Sequence, residues 1–416
     1  MKKLRTLTVL ALLMLIFWGC TQPPNPSVSS TATSPSTSES NGFEWHDCTW
    51  YGPLGEAAFL TEDLFFFLSG DQHILTCSDI NTGTTIALCN KIPCQHDDQF
   101  CEASIFGDKY TPIFFWNDGI YYTEMDGYGT HLYRRNADGT GLSEVATLCE
   151  AEMKKGDVDI FINYSILADG KYYFGADIYT VEILEGGVLQ DKRLKSQICC
   201  LDLRTGKQTV IVDSPGEDAV IVLMAAGGNK VVYSCSENLS VSNTDPDYAN
   251  ALRSSAISLI CVGENTKQQK TILEKTRAEF NAPKFYDGCI VYSRYNAETA
   301  EHRTAFDLNT LEESQSMLMG VSIINKQYGL KAYWDSGSRT NHVVELETDA
   351  RLPLELPGNF RLLAVSGRGL VVRMTEFNKH KEEPTDETTL YYIPVSALSD
   401  GIQAEDATVL YHYRHN

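Results

Sequence analysis

The amino-acid sequence predicts an all-β fold, a β-propeller of four-stranded blades, and three observations carry that expectation. A polar turn followed at once by a short apolar or aromatic strand recurs seven times between residues 62 and 372. Anchored at residues 64, 120, 171, 230, 289, 330 and 370, the copies are spaced by 56, 51, 59, 59, 41 and 40 residues and average 51, enough for four strands and their turns. Stretches of 3.6-residue periodicity are nearly absent, and the best helical candidate, 143–155, is short. Seven copies give seven blades; the weaker copies leave six or eight open. Two consecutive β-sandwiches would not produce evenly distributed repeats.

The chain has 416 residues, and the first twenty read as a targeting segment outside the fold. Lys2, Lys3 and Arg5 precede an apolar run from Leu7 to Trp18. Twelve residues are too few to cross about 30 Å of hydrocarbon, so a permanent membrane helix is the weaker reading. The run ends Phe17-Trp18-Gly19-Cys20, which resembles the lipobox of bacterial lipoproteins. That resemblance implies acylation of Cys20, a bilayer as partner and an extracytoplasmic location anchored to the cell membrane. Phe17 and Trp18 depart from its usual Leu and small residue. From Thr21 to Asn41, 15 of 21 residues are Ser, Thr or Pro, so 21–42 is expected to be a disordered tether spanning about 25 Å. The propeller domain is then 43–416.

Within it, Glu62-Asp63 precedes Leu64 to Phe67, Asp118-Gly119 precedes Ile120-Tyr121-Tyr122, and Asp169-Gly170 precedes Lys171 to Phe174. Gly228-Asn229 and Asp287-Gly288 open the next two copies, and Gly329 and Gly369 the last two. A second signal marks hairpins later in the units: Asp79 to Gly83, Asp138 to Gly141 and Asp202 to Gly206, with Asp307 to Thr310 repeating it without the glycine. Asp caps such turns with its carboxylate and Gly supplies positive φ. Asn117 to Tyr122 together with Leu132 to Leu142 resemble blades of TolB-type propellers and of uncharacterised propeller domains on bacterial surface proteins. That likeness implies binding or scaffolding and supplies no catalytic residue.

Cysteine is abundant, with twelve residues. Cys89, Cys94, His96 and Cys101 form the sharpest cluster. In an exported protein close cysteines default to disulfides, and a Cys94–Cys101 bridge is expected; a tetrahedral zinc site using all four residues is the alternative, and free thiols the third. Cys199 and Cys200 are adjacent on one strand and should face opposite ways. Otherwise no cofactor is expected.

A formal net charge of −21 argues against nucleic acid as a partner, since counterion displacement needs a basic face. No Gly-x-Ser-x-Gly, His-Glu-x-x-His, phosphate loop or dinucleotide fingerprint is present. The expected function is therefore a membrane-anchored binding or scaffolding module for an extracellular protein or glycan. The alternative is an extracytoplasmic carbohydrate-active or lactonase-like enzyme with its site in the central channel. A Cys20→Ser variant should leave the membrane fraction; retention of the processed variant in the membrane would refute acylation there.

Overall fold

The computed structural model describes residues 48–414, apart from 50, 55–57, 70–72, 92, 97–100, 106–111, 127–128, 151–157, 184–188, 217–218, 238–246, 294–302, 317–320, 336–337, 349, 354–358 and 379–382. Cys20, the leader and the tether lie outside the described residues. Twenty-eight strands, numbered β1 to β28 along the chain, form seven four-stranded antiparallel sheets. Each sheet uses four consecutive strands, so the blades run 58–87, 113–150, 158–213, 219–276, 281–316, 321–352 and 359–414. The protein is a seven-bladed β-propeller. All seven sequence anchors fall in the second strand of a blade.

Inner strands β1 (Ala58–Leu60), β5 (Ile113–Trp116), β9 (Val158–Ala168), β13 (Ala219–Gly227), β17 (Asn281–Tyr286), β21 (Val321–Ile323) and β25 (Asn359–Val365) open the blades in turn. Strand alternation sends successive side chains into different interblade cores. Phe66 packs with Ile113, Ile120 and Tyr122 between blades 1 and 2, while Phe65 and Phe67 pack with Val371, Leu390 and Leu410 between blades 1 and 7. Cys199 joins the core between blades 2 and 3, and Cys200 the one between blades 3 and 4. This is why the strands read as continuous apolar runs: both faces are buried.

The turns joining first to second and third to fourth strands lie on one face, called here the turn face. In six blades the residue just after the third strand donates its N–H to a carbonyl of the first turn, as Ile80 does to Asp63 and Leu203 to Gly170, at 2.7–3.0 Å. Asp79 accepts the N–H groups of Asn81 and Thr82, which hold its carboxyl below the usual carboxylate range, and Asp202 and Asp307 cap their turns the same way. Where Gly83 and Gly206 adopt φ of 70° and 69°, the glycine-less copy puts Leu311 at 60°. The turn geometry therefore survives without the residue that makes it easy.

The opposite, loop face carries the remaining hairpin ends and the connections between blades. The best helical candidate, 143–155, is strand over its described part: Ser143–Glu150 is β8, paired with β7 (Gly129–Asn136) across two bulges, and 151–157 lie outside the described residues. A short periodic segment has too few local hydrogen bonds to outweigh a ladder. The α-helix among the described residues, α1 (Tyr248–Ser254), sits in a loop-face connection of blade 4.

A Cβ at Gly206 would meet nothing within 4 Å, whereas one at Gly83 would lie 2.7 Å from the Val409 carbonyl in blade 7. Gly206→Ala should therefore cost only the left-handed conformation, about 1 kcal/mol, and Gly83→Ala distinctly more. Equal losses in denaturant unfolding would show that the blade 1–7 seam is not tight.

Candidate functional site

Three places on the propeller bring chemistry together, and the central channel is the first. Residues 48, 49 and 51–54 run along it, from the turn face towards the loop face. Cys48 lies against the Gly227–Gly228 turn of blade 4, Tyr51 makes a two-way backbone bridge with Ala226, and Leu54 donates its N–H to Ser165 of blade 3 at 2.6 Å. A Cβ on Gly52 would overlap the Phe285 ring of blade 5, and one on Gly227 the Thr49 carbonyl. The segment thus touches the inner strands of three blades at distances that only backbone permits. The channel that would house a catalytic centre in the alternative reading is lined here by the protein's own chain.

The second place is the blade 1–2 connection on the loop face. Cys89, Cys94, His96 and Cys101 converge so that one ligand atom from each lies within 4.8 Å of the others. Cys89, Cys94 and Cys101 are all free cysteines here, and Cys94 and Cys101, the pair expected to bridge, lie in the same cluster. Local geometry explains the convergence. The outer strand of blade 1 leaves at Leu88, whose N–H still reaches Leu75. The chain then loops through the cluster and returns at Ala103, whose carbonyl accepts the N–H of Leu75 at 2.8 Å. Both ends of the loop are thus pinned to one strand.

Burial raises the Cys89 thiol pKa, but hydrogen bonds from the N–H groups of Lys91 and Glu102 and from the neighbouring thiols bring it below the usual value. Cys101, packed in the blade 1–2 core, is pushed up to about 12, foremost by burial. The Ala103 N–H points at the Cys101 Sγ from 3.4 Å, and His96 Nδ1 lies 3.4 Å from the same sulfur. Three sulfurs and one imidazole in this arrangement can hold a soft or borderline divalent cation.

The third place was not legible in the sequence. A cleft of about 1070 Å³ opens between blades 4 and 5, beneath α1. Three neighbouring inner strands each carry a bulge there. The β9–β10 (Lys171–Ile183) register skips Tyr164, the β13–β14 (Lys230–Glu237) register skips Met224, and the β17–β18 (Cys289–Ser293) register skips Ala282 and Pro283. All four skipped residues line the cleft. Tyr164 and Ala282 take φ of 45° and 47°, strained for non-glycine residues, and Tyr164 leaves its ring 57% exposed. Bulges re-aim side chains, and bulged residues in three adjacent strands amount to a shaped wall. Val220, Val222, Leu252 and Phe285 make the remainder mostly apolar. Arg253, Arg277 and Lys284 are the charged groups among the described lining residues. Arg277 is fixed by donating to Ser236 Oγ at 2.7 Å and to the Glu237 carbonyl at 3.2 Å. A bulge needs only one extra residue in a two-residue alternation, so no composition signal announces it.

No protein-family model matches the chain, and no curated protein matches it. Solved structures do. The chain is similar to puromycin hydrolase, 11% identical with a TM-score of 0.52, covering 87% of this chain and 54% of that one. It is similar to a puromycin-hydrolyzing peptidase from Mycobacterium tuberculosis, 11% identical with a TM-score of 0.50 over 87% and 54%. The β-propeller domain of the trilobed protease from Pyrococcus furiosus is matched over its whole length, at 10% identity and a TM-score of 0.47. The chain thus spans about half the length of the two hydrolases. At this identity the likeness shows the propeller fold, which the seven sheets define independently.

Proposed function

We propose that the protein is a membrane-anchored, extracytoplasmic binding propeller whose loop-face cleft takes a segment of an extracellular protein carrying apolar side chains and a carboxylate. The observation behind this reading is the cleft wall built by bulges in β9, β13 and β17, mostly apolar and edged by Arg253, Arg277 and Lys284. A cationic cleft on a chain of net charge −21 is a local inversion of sign. Charges beyond about 8 Å are screened at physiological salt, so the nearby cations govern a ligand inside the cleft. Backbone strain at Tyr164 and Ala282 is the kind that persists where a binding surface needs it.

Pro53 and Leu54 of the channel segment line the inner side of the cleft, so a ligand there would rest against the protein's own chain as well as the blades.

Lys284 is exposed on the cleft edge and can be reversed without touching the core. Peptides selected by phage display on the full-length protein should be enriched in Asp or Glu flanked by apolar residues. Their affinity should fall at least tenfold, about 1.4 kcal/mol, in Lys284→Glu. Selection of peptides indifferent to that change, or binding confined to a glycan array, would overturn the reading.

A further inference from the structure

We propose that Cys89, Cys94, His96 and Cys101 form a closed, structural zinc site that locks the connection between blades 1 and 2. In a tetrahedral centre with three Zn–S bonds of about 2.3 Å and one Zn–N bond of about 2.0 Å, ligand atoms sit about 3.4–3.8 Å apart. The four ligand atoms already lie within 4.8 Å of one another, so closure needs movements of about 1 Å at loop side chains. His96 holds a φ of 58°, and its Nδ1 is 3.4 Å from the Cys101 sulfur. Such a backbone conformation is costly for a non-glycine residue unless a further interaction holds it.

A second observation, from blade 2, points the same way. Arg135 on β7 is only 3% exposed. Its guanidinium donates to the Leu88 carbonyl at 3.3 Å, to the Glu102 carbonyl, and to the Tyr122 hydroxyl at 2.9 Å. All these described acceptors are neutral, and a buried cation held by neutral acceptors gains from an anion placed beside it. The two carbonyls belong to the residues beside Cys89 and Cys101, so the charge lies against the two ends of the cluster. Zinc bound by three thiolates and one neutral imidazole carries a net charge of −1. The three thiols lose their protons to solvent as four dative bonds form, and the resulting anion neutralises Arg135. A Cys94–Cys101 disulfide would leave Cys89, His96 and Arg135 without that compensation.

All four positions are protein ligands, leaving none for water or substrate, so the centre is structural and not catalytic. It would tie Cys101, at the edge of the blade 1–2 core, to the outer loop and fix the base of the connection. The site is independent of the cleft, and its test does not involve ligand binding.

Full-length protein purified without chelator should contain one zinc per chain by elemental analysis. Cobalt exchanged into it should show the absorption of a tetrahedral thiolate complex. Chelation should lower the unfolding temperature and expose three thiols to labelling. Cys89→Ser should abolish stoichiometric metal, whereas His96→Cys, which replaces imidazole with a fourth thiolate, should retain it. If the serine variant does not fold, the cobalt spectrum and the His96→Cys protein decide. Protein purified without chelator that holds no zinc, and takes up neither zinc nor cobalt when it is offered, would overturn the proposal. So would an intact mass two hydrogens short with Cys94 and Cys101 in one disulfide-linked peptide.

Discussion

Closure of the ring without strand exchange is the constraint on which the propeller depends. Every blade is made of four consecutive strands, so no hydrogen-bonded strand from one end of the chain completes a blade at the other. Blades 1 and 7 are held instead by packing and a few polar contacts. Phe65 and Phe67 meet Val371, Leu390, Tyr392 and Leu410, and Phe67 tilts against Tyr411 with ring centroids 5.3 Å apart. Thr85 donates its hydroxyl to the Leu410 carbonyl, and Arg368 pairs with Asp63 on the surface. The exposed pair adds little in water; the desolvated aromatic face carries the seam.

The same constraint gives the channel segment a structural task. Residues 48–54 bridge blades 3, 4 and 5, on the far side of the ring from the seam. Nearby, Lys171 of blade 3 donates to both carboxylate oxygens of Glu264 in blade 4 at 2.8–2.9 Å, and Tyr173 donates to the same group. With these contacts holding blades 3 and 4 together, the neighbouring 4–5 interface can spare side chains for a cleft. Bulges there interrupt the inner ladders and turn residues from the core into its wall.

Electrostatics separates the two loop-face features. In the cleft, Arg253, Arg277 and Lys284 lie near solvent, where local charge selects a ligand by sign. At the Cys/His cluster, Arg135 is buried, where each uncompensated charge costs far more. An overall charge of −21 predicts neither arrangement, because both depend on which few groups the fold desolvates.

The sequence by itself determined the repeat and much of the blade. Polar turns followed by aromatic strands recur locally, and a turn residue such as Gly206 or Asp202 acts on its nearest neighbours, so its signature is readable in place. The alternate burial of Cys199 and Cys200 followed from strand geometry, and the four-residue Cys/His set was visible from its spacing. Tertiary structure decided everything that required distant segments to meet. Residues 143–150 became a strand because β7 offered a ladder stronger than weak helical periodicity. Residues 248–254 became a helix with no pattern to announce it. Residues 48–54 entered the channel because glycines at 52 and 227 let backbones approach within side-chain distance. The convergence of the three bulged strands on one cleft depends on contacts across blades, which no local window of sequence contains.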